Sequence, residues 1–154
     1  MKSYAVHYTF SQHFHVPAHR AYEWCTDYTP GDIKLGGEDG ERRIKWLDED
    51  TAILTDSYPA GKPTIVKRRL VRLYPEILSW TNTRISTDGM YSQFLYQITS
   101  ERGGSRLTFT GNQRFVGTAS TSKRKKMAKQ IRKEDSTEWR VYAKEMAKDL
   151  AGKK

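Results

Sequence analysis

The sequence has very little cysteine and no long apolar run. Cys25 is the only cysteine among 154 residues, so no disulfide can form within the chain and no cysteine pair has metal-ligand spacing. The N-terminal residues alternate between polar and apolar, which is not the pattern of a signal peptide or a membrane span. These absences predict a cytoplasmic protein that holds no metal and no other cofactor.

Familiar catalytic motifs are missing as well. The sequence has no His-Glu-x-x-His, no Gly-x-Ser-x-Gly, no phosphate-binding glycine loop and no dinucleotide fingerprint. This weakens hydrolase, nucleotidase and dehydrogenase interpretations. His7, His13 and His15 alternate along one strand, but their face has no apolar residues, so exposed and uncoordinated histidines are favoured over a metal site.

Aromatic residues, in contrast, are abundant, with nine tyrosines, five phenylalanines and four tryptophans. A chain of this length buries enough surface to fold without disulfides or metals, and residues 1–154 are predicted to form one domain. Large rings with polar tips suit a pocket that is apolar but needs orienting hydrogen bonds. The alternative is that the rings fill the core, and for any single ring that alternative is favoured.

The periodicity predicts one strand, two short helices, six strands and a long helix. Residues 4–16 place an apolar side chain at nearly every second position, the pattern of a strand with one buried face. Pro17 begins a helix that is predicted to end near Thr29, with a further helical turn at 32–35. Further strands are predicted at residues 41–47, 52–58, 64–74, 77–85, 91–99 and 105–115. Residues 120–122 then offer an N-cap for a final helix of about 28 residues.

Three segments resemble the START-like (SRPBCC) superfamily, which includes polyketide cyclase/dehydrase-like proteins and birch-type pollen allergens. They are residues 14–27, 73–80 and 103–110. Two features depart from the pattern, because Pro17 precedes Ala18 where the family has Ala-Pro, and Cys25 replaces an aliphatic residue. The resemblance implies an α+β helix-grip fold, in which a curved antiparallel sheet of about seven strands wraps around the C-terminal helix, with two short helices after the first strand.

The resemblance also implies a cavity between sheet and helix that holds a lipid, polyketide or other apolar molecule. Strand parity and the helix pattern nominate eight ligand-binding residues. They are Trp80, Asn82, Phe94, Tyr96, Phe109, Gln113, Trp139 and Tyr142. The two amides are candidate hydrogen-bonding groups for a ligand, with a solvent-facing strand rim as the equally weighted alternative.

A few further polar residues are open to two interpretations. Asp135 interrupts the apolar face of the final helix and could act as a general acid or base in an aldol-type cyclisation, although a local bend that exposes it to water is favoured. Arg68 and Arg84 could bind a carboxylate, but a solvated surface position is favoured for both. Cys25 is interpreted as a small helix-packing residue.

The net charge of +9 is concentrated in one segment, because residues 123–133 contain seven basic residues and no acid. The candidate anion-binding or partner-binding residues are Lys123, Arg124, Lys125, Lys126 and Lys129. Cations at a helix N-terminus oppose the helix dipole, which would be relieved by nucleic acid, an acidic membrane surface or an acidic protein. A solvated helix face is the favoured alternative.

The preferred functional hypothesis is binding or transport of an apolar small molecule. The second is a cyclase or dehydratase that uses the same cavity, with a polar pair such as Asp135 and Tyr142 moving protons. The third is a protein or nucleic-acid interaction module that uses the basic segment 123–133. The residues that would be catalytic are not identified by the sequence.

Overall fold

All seven strands form a single antiparallel sheet. The computed structural model describes residues 2–35, 39–59, 64–87 and 89–151. The strands are β1 (Ser3–Phe14), β2 (Glu41–Trp46), β3 (Thr51–Tyr58), β4 (Ile65–Tyr74), β5 (Ser79–Ser86), β6 (Tyr91–Glu101) and β7 (Gly104–Val116). Their order in the sheet is β1-β7-β6-β5-β4-β3-β2, so β1 and β2 are the two edges. From β2 to β7, sequential neighbours pair directly, which makes this part a meander.

Strand β1 has the predicted single buried face. Tyr4, Val6, Tyr8 and Phe10 are buried, whereas the intervening residues face outward. The strand pairs with β7 along its whole length, from Ser3 opposite Val116 to Phe14 opposite Ser105. Because a one-residue shift would turn the apolar set to water, this alternation fixes the register of the pair.

Two short helical segments connect the edge strands, as predicted. The helix α1 (Ala18–Thr26) follows Pro17 and ends three residues before the predicted end at Thr29. A 3₁₀ helix (Pro30–Lys34) begins there instead, because the Thr29 and Asp32 side chains and backbone groups form a capping box. The predicted strand at 77–85 starts late, at Ser79, because Pro75–Ile77 forms a 3₁₀ turn before β5.

The long C-terminal helix α2 (Thr121–Leu150) has 30 residues and extends over about 45 Å. Ser120 caps it as predicted, because its hydroxyl accepts the backbone N–H of Lys123 at 3.1 Å. Met146 is fully buried, and Ile131, Trp139 and Leu150 pack against the core of the sheet. None of the helices in the described ranges combines the length and the apolar character that crossing a membrane requires.

Candidate functional site

A half-enclosed cavity of about 440 Å³ lies between the concave face of the sheet, α2 and the segment that follows α1. Strands β4 to β7 form its floor with side chains of one parity. The helix α2 covers it with Trp139 and Tyr142, while Trp24 and Tyr28 close the side formed by α1. Its volume is within the range of small-molecule sites in proteins.

The first row of the floor is aromatic. Trp80, Tyr96, Phe109 and Phe10 lie opposite one another on the successive neighbouring strands β5, β6, β7 and β1. The rings of Trp80 and Tyr96 stack with centroids 4.6 Å apart and planes 2° apart, and those of Phe10 and Phe109 stack at 4.7 Å. From the helix, Trp139 approaches Tyr96 at 5.8 Å. The rings of this row pack against one another, and the parts of Trp80, Tyr96 and Phe109 that reach the cavity give it an apolar, aromatic wall.

The second row, two residues further along the strands, mixes polar and aromatic groups. Asn82 lies opposite Phe94, Phe94 opposite Gly111, and Gly111 opposite Tyr8. Asn82 is 4% exposed, and its Oδ1 accepts no hydrogen bond from the described residues. A Cβ at Gly111 would lie 3.0 Å from the Tyr8 ring, so the glycine lets that ring cross the strand. A buried unpaired amide oxygen costs about 1–3 kcal/mol, which a ligand donor would relieve.

The third row is polar. Arg69 and Arg84 lie directly opposite each other on β4 and β5, and Ser92 and Gln113 continue the row on β6 and β7. Both arginines line the cavity. Burial, followed by repulsion from Arg69, lowers the pKa of Arg84. Arg84 was therefore wrongly predicted to lie on the surface, although it shares its parity with Trp80 and Asn82. Arg68 is exposed, as predicted.

Asp56 is the buried carboxylate that pairs with arginines beside the cavity. Its carboxylate, which is 0% exposed, accepts two hydrogen bonds from Arg42, Nε to Oδ1 at 2.8 Å and Nη2 to Oδ2 at 3.0 Å. Arg69 is further away, with Nη2 at 3.8 Å from Oδ2. The fork of Arg42 thus matches this carboxylate, and the Nε of Arg69 has no hydrogen-bond partner among the described residues.

Asp135 faces the cavity, which corrects the prediction that a bend would expose it to water. The phenol of Tyr8 donates a hydrogen bond to its Oδ2. Burial raises the pKa of Asp135 to about 6, with Glu138 and Glu134 acting in the same direction and the Tyr8 hydrogen bond and Arg84 opposing them. Burial and Asp135 together raise the pKa of Tyr8, so Tyr8 stays a neutral donor. The pKa of this carboxylate is therefore close to neutral pH, as a general base requires.

Seven of the eight predicted ligand-binding residues line the cavity. They are Trp80, Asn82, Phe94, Tyr96, Phe109, Trp139 and Tyr142. The eighth, Gln113, is buried behind the lining, where its amide donates to the Tyr8 hydroxyl at 2.9 Å and accepts from Arg84 at 3.4 Å. Whether these residues bind a ligand stays a prediction at this point.

The cavity also contains residues that were not predicted to belong to it. Arg42 and Arg69 were missed, although Arg69 shares its parity with the buried Val71 and could have been placed inward on that ground. The predicted pair of Asp135 and Tyr142 does not form, because the Tyr142 phenol donates to Glu138, one turn earlier on α2. Tyr8 takes that place beside Asp135.

The basic segment and the histidines lie away from the cavity. Lys123, Arg124, Lys125, Lys126 and Lys129 are all exposed on the first turns of α2. Arg124 also donates to the carbonyl of Ala119, at 3.2 Å, and lies over the Tyr4 ring. An anionic partner for this segment stays a prediction.

The histidines form no metal site within the part of the chain that the structure describes, where no group of three or more His, Cys, Asp or Glu residues is arranged to hold an ion. His7 and His15 are exposed, as predicted. His13 is half-buried and contacts the carboxylate of Glu101 at 2.5 Å, so it is not the fully exposed residue that was expected.

Comparison with solved structures identifies the fold. Ara h 8.0201 superposes with a TM-score of 0.73 at 9% identity, over 94% of this chain and 99% of that one. The ZhuI aromatase/cyclase from Streptomyces sp. R1128 gives 0.67 at 11%, over 97% and 96%. The di-domain ARO/CYC StfQ from the steffimycin biosynthetic pathway gives 0.74 at 12%, over 96% of this chain and 52% of StfQ.

These structures share the helix-grip fold of START-like (SRPBCC) domains, and the chain has this fold, as predicted. No family model matches the sequence, and no curated protein matches it either. At identities of 9–12% the likeness establishes the architecture, and function has to be argued from the cavity itself.

Proposed function

We propose that this protein binds an apolar, aromatic small molecule in the cavity between the sheet and α2. The observation that supports the proposal best is the aromatic lining of the cavity, to which the sheet contributes Tyr96 and Phe94 and α2 contributes Trp139 and Tyr142. Although several of these rings contact one another, a lined space of about 440 Å³ stays beside them. A core built only for stability is close-packed, so a lined space of this size favours a ligand.

Burial would provide most of the affinity. An aromatic ligand that buries about 200 Å² of apolar surface gains about 5 kcal/mol at about 25 cal/mol per Å². An aromatic contact of the ligand with a lining ring such as Trp139 adds about 0.5–1.5 kcal/mol per pair. Part of this gain is offset by the lost freedom of the ligand, so micromolar to submicromolar binding is the expected range.

Replacing Trp139 by Ala tests this proposal with the neutral probe 2-naphthalenemethanol. Trp139 is only partly buried, so we expect the variant to fold, while the lost stacking surface lowers the affinity for the probe about tenfold or more. Isothermal titration calorimetry measures the affinity, and urea unfolding measures the stability. Trp46→Ala is the matched control, because Trp46 is 45% exposed and lies on the edge strand β2.

The outcome of this experiment separates binding from packing. An unchanged probe affinity in Trp139→Ala, or an affinity loss no larger than in Trp46→Ala, would contradict the proposal. Solvent extraction of the purified protein, followed by mass spectrometry, is the complementary measurement. A copurified aromatic compound that is released on unfolding is the expected result.

A second candidate function, proton transfer to a bound carbonyl compound, is favoured by Asp135. This carboxylate lies inside the cavity, has its pKa raised to about 6 by burial, and is oriented by the phenol of Tyr8. It could remove a proton from the carbon next to a ketone and return it after rearrangement, as cyclisation or dehydration requires. A positioned base of this kind contributes about 10²–10⁴-fold in rate.

Hydrogen–deuterium exchange at C1 of 2-tetralone in D₂O provides a direct test of this candidate. Asp135 would take the C1 proton, an enolate would form, and deuterium would be returned to the carbon. We expect the wild-type protein to accelerate exchange and Asp135→Asn to reduce that acceleration about tenfold or more, as measured by NMR. Glu49→Gln, in the exposed turn between β2 and β3, is the control. No acceleration by the wild type would rule out this candidate and leave binding unaffected.

A further inference from the structure

The three rows of the cavity floor are ordered from apolar to charged. Trp80 and Arg84 lie on the same strand, β5, with Asn82 between them on the same face. Four residues of strand correspond to about 13 Å, so the aromatic surface and the arginines are separated by about the length of a small polycyclic molecule. A ligand that spans the floor meets an aromatic surface at one end and guanidinium groups at the other.

The charged row has unused hydrogen-bonding capacity. The Nε of Arg69 and the hydroxyl of Ser92 are buried without partners among the described residues. Arg84 donates to Gln113 only at 3.4 Å, stacks over the Phe94 ring at 5.5 Å and forms no ion pair with any described carboxylate. Like charges directly opposite each other across a strand pair are destabilising, so Arg69 and Arg84 repel each other until an anion lies between them.

The arginines of the cavity differ in how well they are paired. Arg42, Arg69 and Arg84 line the cavity. The carboxylates near them that are buried or half-buried are Asp32, Asp56 and Asp135. Asp56 is matched by the fork of Arg42, on which Asp32 also acts. Arg84 is left without an ion pair among the described residues, so an anion bound beside it would gain a charge-assisted hydrogen bond.

We infer that the ligand is an aromatic carboxylate, whose ring system lies beside the aromatic lining residues Tyr96 and Trp139 and whose carboxylate is bound by Arg69 and Arg84. A carboxylate suits this pair because its two oxygens can accept from two guanidinium groups at once. This inference rests on the proposed binding function and specifies the chemical class of the ligand. In this arrangement Arg69 and Arg84 orient the ligand along the floor of the cavity.

A pair of matched probes tests the inference. Calorimetric titrations at pH 7.5 compare 2-naphthoate with 2-naphthalenemethanol, which has the same ring system and no charge. We expect the wild type to bind the carboxylate about tenfold or more tightly than the alcohol, as charge-assisted hydrogen bonds in a partly desolvated site provide. In Arg84→Gln the preference for the carboxylate over the alcohol should be lost, and Arg84→Lys should retain part of it.

Arg68→Gln is the matched control, because Arg68 is the sequence neighbour of Arg69 on β4 and is exposed. This variant should keep the full preference for naphthoate. Equal affinities of the two probes for the wild type, or a preference that survives Arg84→Gln, overturn the inference and leave the proposed binding function in place. Absence of binding for both probes overturns the proposed function as well.

Discussion

Replacing Asp56 by Asn is expected to destabilise the protein by about 3–5 kcal/mol. The carboxylate is fully buried, and it accepts both hydrogen bonds of the Arg42 fork while lying 3.8 Å from Arg69. An asparagine has nearly the same volume, so no cavity forms, but the arginines lose a fully buried counter-charge. Removing one partner of a buried ion pair leaves an uncompensated charge, which accounts for the size of the effect.

Urea unfolding at neutral pH measures this loss. Asp48→Asn is the control, since Asp48 is 57% exposed, lies 3.8 Å from Arg72 and should change the free energy of unfolding little. A loss for Asp56→Asn as small as that of the control would mean that the arginines do not depend on Asp56.

The elements of this fold could be predicted because local patterns agree with the tertiary structure. Alternation along β1 identified its buried face, and Ser120 identified the start of α2 through the hydrogen bond that its hydroxyl accepts. Parity along β5 to β7 placed Trp80, Tyr96 and Phe109 on the concave face. Each of these signals comes from residues close together in the chain, which is why sequence alone was sufficient.

The charged residues of the cavity were harder to predict, because their partners are far away in sequence. Asp135 is four residues from both Ile131 and Trp139, so helical spacing alone would keep it on the inward face. In that inward position its carboxylate accepts a hydrogen bond from Tyr8. Because Tyr8 is 127 residues away, the helix sequence alone does not identify this partner. Arg69 and Arg84 become adjacent only through the register of β4 and β5. Whether aromatic rings fill a core or line a space also depends on packing that no local pattern specifies.

Deprotonation of Asp135 should lower the free energy of unfolding of the wild-type protein as the pH rises from about 4 to 7.5. The variant Asp135→Asn should lack this contribution. The pKa of Asp135 is about 6 in the folded protein and 3.8 as an unperturbed carboxyl. The folded state therefore binds the proton more tightly than the unfolded state. The favourable contribution of the protonated carboxyl is complete below pH 3.8, declines above it and is lost as the pH passes through about 6.

A shift of this size corresponds to about 3 kcal/mol in total, of which about 2 kcal/mol falls between pH 4 and pH 7.5. Asparagine carries no charge and can still accept the Tyr8 hydrogen bond. Between pH 4 and pH 7.5 the free energy of unfolding of Asp135→Asn should therefore rise by about 2 kcal/mol relative to that of the wild type. Urea unfolding at both pH values measures it, and Glu49→Gln, in the exposed β2–β3 turn, should follow the wild type. Parallel pH profiles for Asp135→Asn and the wild type would show that Asp135 is solvated and cannot serve as the base in the cavity.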